Sequence, residues 1–277
     1  MHLSYSKLNT FRQCPLRYRL TYQDRLPRRP RRLFRAAHRI HQALMVWLTY
    51  AQRGAPSLAE ALRAYDCAWD GERQPEVREL REYAEGERIL RAYHAANRER
   101  PCAPVFLEQK FAVRLGDHRL TGAIDRVDAG ESGYEVIDYK LDRDVRTQHA
   151  MDEDLQLGLY HLALREGHGI QPEALSLYFL RHNLTLTTTR SAEEIRDLGR
   201  WAEATGDRIT RERRWEPCPG DWCSHCDFRA YCPAVSPDPL PIPAAAAPGS
   251  RPHQTSLPLI TVDDPPAARQ LSLGMSI

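Results

Sequence analysis

Lysine is nearly absent from this chain, although the chain has 277 residues and 39 lysine and arginine side chains. Only Lys7, Lys110 and Lys140 are lysines, so arginine carries almost all of the positive charge. A guanidinium stays charged and planar, whereas the compact lysine ammonium adjusts its pKa and approaches a water closely. A lysine kept at one position in such a chain indicates a role that arginine fills poorly.

The chain also lacks a long apolar run. No stretch reaches the roughly 20 apolar residues that span a bilayer. The start, MHLSYSK, has no apolar signal-peptide core. We therefore expect a cytoplasmic protein without a membrane partner. The sequence also has no ATP-binding loop of its own. A net charge of +2 neither requires nor excludes nucleic acid as a partner.

One segment, GAIDRVDAGESGYEVIDYK at residues 122–140, predicts a hairpin with three charged side chains on one face. Asp138 and Lys140 are two apart on a strand and so point the same way. A turn at DAGESG folds Asp125, near the end of the preceding strand, back beside them. Two carboxylates and an ammonium suit a hard divalent cation and an activated water. That is the chemistry of phosphodiester hydrolysis.

A predicted helix stands on each side of this hairpin. In RLFRAAHRIHQALMVWL an apolar stripe follows the helical period. His41 lies beside that stripe, at the edge that faces the interior. In DEDLQLGLYHLAL, Gln156 and Tyr160 are four apart and stack on one side of the helix.

This order of residues resembles the RecB-like branch of the PD-(D/E)XK nuclease superfamily. Ala37 stands where the branch has glycine in its G-x-x-x-H helix, and D-x-K and Q-x-x-x-Y elements follow. The G-x-x-x-H spacing makes His41 the preferred metal ligand, with His38 as its competitor. The resemblance implies an α/β, restriction-endonuclease-like core with a mixed central sheet flanked by helices. It implies Mg²⁺ or Mn²⁺ held by His41, Asp125, Asp138 and the Tyr139 carbonyl, with Glu108 in support. The catalytic residues that it implies are Asp125, Asp138, Lys140, Gln156 and Tyr160.

The cysteines form a second pattern. Cys223, Cys226 and Cys232 are spaced C-x2-C-x5-C, Cys14 is a distant fourth thiol, and Cys218 is a rival for Cys223. In a chain without a secretory signal, this pattern favours a metal site over disulfides. The spacing alone does not separate an iron–sulfur cluster from zinc.

The cysteine pattern resembles that of iron–sulfur exonucleases of the AddB type and of CRISPR-associated exonucleases. The resemblance implies a [4Fe–4S] cluster that clasps the N- and C-terminal ends, with zinc as the alternative occupant. The ligands that it implies are Cys14, Cys223, Cys226 and Cys232.

We expect a nuclease domain over residues 1–235. It holds a helical insertion at about 55–102 and a cluster-binding loop at 218–233. Three strands, PVFLEQKFAVRL, HRLTGAIDRV and GYEVIDYKL, precede the Gln156 helix. A strand pair, ALSLYFLRH and LTLTTTR, and a helix capped by Ser191 follow it.

Residues 236–277 predict a Pro/Ala-rich disordered tail. Two short segments of this tail resemble peptides that bind the bacterial sliding clamp. Their key residues are Gln254, Leu257 and Leu259 in the first and Gln270, Leu271 and Leu273 in the second.

Together, these resemblances imply a metal-dependent DNA exonuclease that acts on single-stranded ends in DNA repair or recombination. The arginine-rich run at residues 25–35 would neutralise phosphates if it faces the site. A helicase partner is expected because related domains are fused to one. The alternative is a non-catalytic DNA-binding adaptor subunit of a helicase–nuclease or clamp-associated complex.

Overall fold

A six-stranded mixed sheet forms the centre of the computed structural model, which describes residues 1–28, 32–69, 77–100 and 103–243. The strands are β1 His2–Leu3, β2 Pro104–Leu115, β3 His118–Gly130, β4 Gly133–Lys140, β5 Pro172–Phe179 and β6 Leu184–Thr188. The helices are α1 Tyr5–Gln13, α2 Pro15–Tyr18, α3 Arg32–Gln52, α4 Leu58–Trp69, α5 Val77–Asn97, α6 Gln148–Asp152, α7 Leu155–His168 and α8 Ala192–Arg211. Arg19–Gln23 forms a π-helix, and two 3₁₀ helices lie at Asp221–His225 and Arg229–Tyr231.

The sheet has the order β1-β3-β4-β5-β6, and β2 also pairs with β3. β3 is antiparallel to both β2 and β4, whereas β5 runs parallel to β4. A parallel pair needs a long crossover, and α6 and α7 supply it. The crossover brings α7 against the sheet, with contacts to β4 and β5.

Helices cover the sheet through three apolar clusters. Ile40, Leu44 and Leu48 of α3 pack with α4, α5 and the ends of β4 and β5. The inner side of α7 packs on β3, β4 and β5, and a third cluster joins α1, α7 and α8 to β1, β2 and β3. The mixed sheet flanked by helices confirms the α/β fold expected from the sequence. None of the described helices is long and apolar enough to cross a membrane.

Most element positions agree with the sequence pattern, and Ser191 caps α8 in a capping box with Glu194, as predicted. The β3–β4 hairpin differs in detail, because its turn comprises only Glu131 and Ser132. β3 therefore continues to Gly130, and Asp125 lies within the strand rather than near its end. The helical insertion corresponds to α4 and α5. The predicted tail beyond residue 243, with its clamp-binding peptides, and the centre of the arginine-rich run at 29–31 lie outside the described residues.

Gly86 in α5 packs directly against the buried ring of Tyr65 in α4. A Cβ at this position would contact Tyr65 Oη and lie 2.5 Å from its Cζ. Alanine is normally better than glycine in a helix by about 1 kcal/mol, but overpacking a core costs about 1–3 kcal/mol. We expect Gly86→Ala to lower the free energy of unfolding, measured by guanidinium denaturation.

The matched control is Gly199→Ala in α8, where the nearest atom to a new Cβ is Leu162 Cδ1 at 3.7 Å. This substitution is expected to raise the free energy of unfolding by about 0.5–1 kcal/mol. Equal effects of the two substitutions would contradict the packing argument.

Candidate active site

The strand pairing opens around Asp125 on both sides. The β3–β4 register reaches Arg126 with Ile137 and stops there. On the other edge of β3, the register with β2 skips Glu108, which stands opposite Asp125. The Asp125 carboxylate takes the place of a ladder partner, because its Oδ2 accepts a hydrogen bond of 3.0 Å from the Tyr139 amide. The opening leaves the Asp125 side chain at a point where β3 pairs with neither β2 nor β4.

Glu108 adopts a left-handed backbone conformation within β2, with φ at +48°. A non-glycine residue with positive φ carries a strain of about 1–3 kcal/mol, and such strain clusters at functional sites. Its carboxylate Oε1 lies 3.0 Å from His41 Nδ1, while His41 Nε2 lies 3.0 Å from Asp125 Oδ2. His41 of α3 therefore joins carboxylates from two different strands.

The His41, Glu108 and Asp125 side chains form a candidate metal site, because they bring one ligand atom each to within 4.8 Å of one another. Burial opposes charge on His41, but the hydrogen bonds to Asp125 and Glu108 raise its pKa to about 10. An imidazole with two carboxylates is a donor set that suits divalent cations. The residues present therefore fit the divalent metal ion expected from the sequence.

A closed ring of four side chains lies beside this group. Lys140 Nζ is 2.5 Å from Asp138 Oδ2 and donates to Gln156 Oε1 at 2.9 Å. Gln156 Nε2 donates to the Tyr160 hydroxyl at 2.7 Å, and that hydroxyl donates to Asp138 Oδ1 at 3.3 Å. Each member is held by two neighbours, so the ring fixes the position of the Lys140 ammonium.

Charge in this ring is set by burial and by neighbouring groups. Asp138 is 2% exposed, and burial raises its pKa to about 6, with Lys140 opposing and Asp125 reinforcing the shift. Burial alone would lower the pKa of Lys140, but the charge of Asp138 outweighs it, and the pKa of Lys140 is raised. Lys140 therefore remains an ammonium at neutral pH.

The start of α7 places Gln156 and Tyr160. Buried Asp154 caps this helix by accepting from the Leu157 amide at 2.8 Å. Its other oxygen accepts from Arg146 Nη1 at 2.6 Å. The cap fixes the residue at which α7 begins, and this places Gln156 and Tyr160 on the side of the helix that faces the end of β4. In a sequence, a residue with a side-chain oxygen directly before an apolar helix indicates a helix start. That signal could have identified Asp154 from the sequence.

The structure brings the predicted residues together, with His41 at the site and His38 exposed. Three contacts differ from the prediction. Glu108, expected only in support, contacts His41 directly. Asp138 lies outside the His41, Glu108 and Asp125 group and belongs to the Lys140 ring. The main-chain contact of Tyr139 with Asp125 is through its amide.

Far from this site in the chain, five cysteines line one pocket between α2 and the C-terminal segment. They are Cys14, Cys218, Cys223, Cys226 and Cys232. Cys14 is buried and Cys218 is exposed, and none of the five forms a disulfide. Cys14 Sγ accepts from the amides of Arg17 at 3.5 Å and Cys218 at 3.4 Å, and Cys223 Sγ accepts from Gly220 at 3.4 Å. The backbone amides thus direct hydrogen-bond donors at two of the five sulfur atoms.

Trp215 holds the C-terminal segment against the N-terminal helices. Its ring stacks on Tyr18, with centroids 5.9 Å apart and planes 5° apart. Its backbone is left-handed, at φ +53°, and Glu212 Oε1 accepts from the amides of residues 213, 214 and 215. These contacts hold the C-terminal segment in place beside Cys14, so that Cys14 and the cysteines near the C-terminus line the same pocket.

Glu108 offers a test that separates backbone strain from metal binding. The free energy of unfolding of Glu108→Gly should be about 1 kcal/mol higher than that of Glu108→Ala, because both lose the contact with His41 and only glycine adopts positive φ without strain. Glu108→Gly should also weaken Mn²⁺ binding by at least about 10-fold, because a carboxylate is lost from the donor set. Calorimetric titration with Mn²⁺ and denaturant unfolding measure the two quantities.

The control is Glu131→Gln, which removes an exposed carboxylate at the hairpin turn. It should leave both quantities unchanged. Retention of wild-type Mn²⁺ affinity in Glu108→Gly would show that Glu108 is not a ligand.

Comparison with known proteins adds a family match. A sequence model of the PD-(D/E)XK nuclease superfamily matches residues 2–233. None of the curated proteins compared with the chain matches it significantly. A solved structure of a "Putative exonuclease" from Eubacterium rectale is 12% identical, with a TM-score of 0.48, over 81% of this chain and 86% of that chain. SSO0001 is 14% identical, with a TM-score of 0.37, over 74% of this chain and 97% of that chain.

Proposed function

The chain belongs to the PD-(D/E)XK nuclease superfamily, and from this premise we propose that it is a metal-dependent DNA exonuclease acting on single-stranded ends. Phosphodiester hydrolysis follows from the family. The observation that carries the assignment to this site is the closed ring of Asp138, Lys140, Gln156 and Tyr160 beside the His41 group. A positioned cation next to a divalent-metal donor set is what phosphodiester hydrolysis requires.

His41, Glu108 and Asp125 would hold Mg²⁺ or Mn²⁺, with Asp138 and the Tyr139 carbonyl as the further ligands expected from the sequence. When bound, such an ion polarises the scissile phosphate and lowers the pKa of a bound water. Glu108 joins the proposed ligand set because its carboxylate contacts His41.

Lys140 orients the attacking water and stabilises negative charge on the phosphate oxygens. Its raised pKa makes it a permanent donor rather than a base, because a base would have to lose its proton near neutral pH. Asp138 and Gln156 hold the ammonium from two directions, so the charge is in place before the substrate arrives. Tyr160 closes the ring and supports Asp138.

The choice of DNA, of single-stranded ends and of repair or recombination is supported by the resemblance to RecB-like exonucleases. The described residues at the N-terminus agree with a polyanionic substrate, since residues 1–28 contain six lysine and arginine side chains and a single acidic one, Asp24. A helicase is the proposed partner, and the proposed location is the cytoplasm. The proposed nuclease domain covers residues 1–235, with the tail beyond it.

We further propose a [4Fe–4S] cluster on Cys14, Cys223, Cys226 and Cys232, with zinc as the alternative occupant. The pocket lined by these thiols and the amides directed at two of them support this assignment. Cys218 already contributes its amide to Cys14, and its side chain is exposed. This favours Cys223 over Cys218 as the ligand. The cluster would clasp the two ends of the domain.

The test uses anaerobically purified protein with end-labelled single-stranded DNA and Mn²⁺, Mg²⁺ or EDTA. Degradation that requires metal and is lost in Lys140→Ala would establish the nuclease, and the label position would give its polarity. Single-stranded RNA and double-stranded DNA of the same sequence test the substrate choice. Tight DNA binding without cleavage in any metal would overturn the proposal in favour of the adaptor function.

A further inference from the structure

Behind the hairpin, on the side away from Lys140, lies a buried arginine that the proposed mechanism does not use. Arg126 is 8% exposed. Its Nε donates to Asp128 Oδ1 at 2.5 Å, and its Nη2 pairs with the other oxygen of the same carboxylate. Its Nη1 donates to the hydroxyls of Tyr139 at 3.0 Å and Tyr93 at 3.3 Å. Four of the five N–H donors of a guanidinium are thus accounted for.

A buried ion pair is weak evidence for stability, because desolvation of the two charges offsets their attraction. Its planar fork does, however, fix the directions of its partners. Here the partners come from three elements, namely β3, β4 and α5. The Tyr93 and Tyr139 hydroxyls also lie 3.0 Å from each other. The network is therefore a rigid connection between the hairpin and the helix behind it.

Tyr139 links this network to the candidate metal site. Its amide donates to Asp125 Oδ2, its ring meets the His41 ring edge to face at 6.1 Å, and it stands between Asp138 and Lys140 in the chain. Arg126 in turn directly follows Asp125. A shift of the Tyr139 ring would therefore move the backbone that carries the Asp125, Asp138 and Lys140 side chains.

We propose that Arg126 is a positioning residue for the metal site, acting through the Tyr139 hydroxyl to hold the backbone of the hairpin behind Asp125 and Asp138. The inference rests on the proposed metal site. Supporting residues of this kind typically cost 10–100-fold in metal affinity or activity when they are changed. Arg126 binds no substrate and no metal itself.

The experiment measures Mn²⁺ dissociation constants by calorimetry, with unfolding free energies in parallel. Tyr139→Phe removes one hydroxyl, and Arg126→Lys keeps a charge beside Asp128 but loses the fork. Each is expected to weaken Mn²⁺ binding by about 10-fold or more. The double variant should bind no more weakly than the weaker single variant, because both changes break the same contact.

Tyr178→Phe is the matched control. Its ring packs on Tyr139 and Tyr93 at 5.7 and 5.2 Å, and its hydroxyl is bonded to Asn97 and Asn183 but not to Arg126. It should lose stability like Tyr139→Phe and keep wild-type Mn²⁺ affinity. A purely structural role for the network would make the two tyrosine variants alike in both measurements.

Two outcomes would overturn the inference, and they differ in what else fails. If wild type binds Mn²⁺ and cleaves DNA while Tyr139→Phe and Arg126→Lys keep their affinity, only the positioning role is wrong. If wild type neither binds Mn²⁺ nor cleaves DNA, the proposed function fails with it. Should Arg126→Lys not fold, the comparison of Tyr139→Phe with Tyr178→Phe still decides the question.

Discussion

Replacement of Lys140 by methionine is expected to reduce metal-dependent cleavage by about 10²–10³-fold or more, the usual cost of removing one preorganised donor to a developing oxyanion. Methionine keeps most of the side-chain length and removes the charge. The loss should lie in kcat more than in KM, because the ammonium acts on charge that develops in the transition state. Single-turnover cleavage of end-labelled DNA under excess enzyme measures it.

Lys140→Arg is the sharper variant in this arginine-rich chain. The guanidinium keeps the positive charge, but its planar fork does not fit a position that Asp138 and Gln156 hold for a compact ammonium. We expect a loss close to that of Lys140→Met. Lys110→Met, at an exposed lysine of β2, is the matched control and should cleave as wild type does. Activity of Lys140→Arg within a factor of about two of wild type would refute a specific role for the ammonium.

Cys14→Ser is expected to remove both the visible absorption of an iron–sulfur cluster and a large part of the stability. The cluster would tie residue 14 to the segment 223–232, closing a loop of most of the chain. Cross-linking a loop of on the order of 100 residues or more is worth about 4–5 kcal/mol through the entropy of the unfolded chain. Chelation or loss of one thiolate should therefore lower the thermal midpoint strongly.

Two other cysteines provide the controls for this prediction. Cys67→Ser, at an exposed thiol in α4, should change neither colour nor stability. Cys218→Ser separates the rival ligand sets, because its amide contact to Cys14 survives the substitution. It should keep the cluster. A colourless wild-type protein that holds one zinc ion per chain would establish the alternative occupant. Loss of colour in Cys218→Ser would replace Cys223 by Cys218 in the proposed ligand set.

Much of the fold could be read from local patterns, because those patterns act over a few residues. The β2 strand has the bounds expected from PVFLEQKFAVRL, and the apolar stripe of α3 is buried at Ile40, Leu44 and Leu48. Periodicity of this kind depends on the side-chain geometry of one helix or strand. The Asp138, Lys140, Gln156 and Tyr160 candidates were likewise found by spacing within single elements.

The Arg126 network and the role of Glu108 could not be found in that way. Glu108 occupies an ordinary place in an alternating strand, and its left-handed backbone appears only where β2 fails to pair with β3. The sequence preferred His41 to His38, but the contacts of His41 with both carboxylates depend on how α3 docks onto the sheet. The turn of the β3–β4 hairpin also proved shorter than its composition suggested, since Gly130 and Gly133 pair across it.

The sequence by itself determined the α/β architecture and the hairpin with its D-x-K element, and it singled out Cys14 and the C-x2-C-x5-C group at 223–232 as candidate ligands. These follow from short-range periodicity and from the chemical identity of a few side chains. Only the tertiary structure decided which groups share one site. Contacts such as His41 with Glu108, or Arg126 with Tyr93, join residues from different elements. Their distances depend on packing and strand register, which no local pattern specifies.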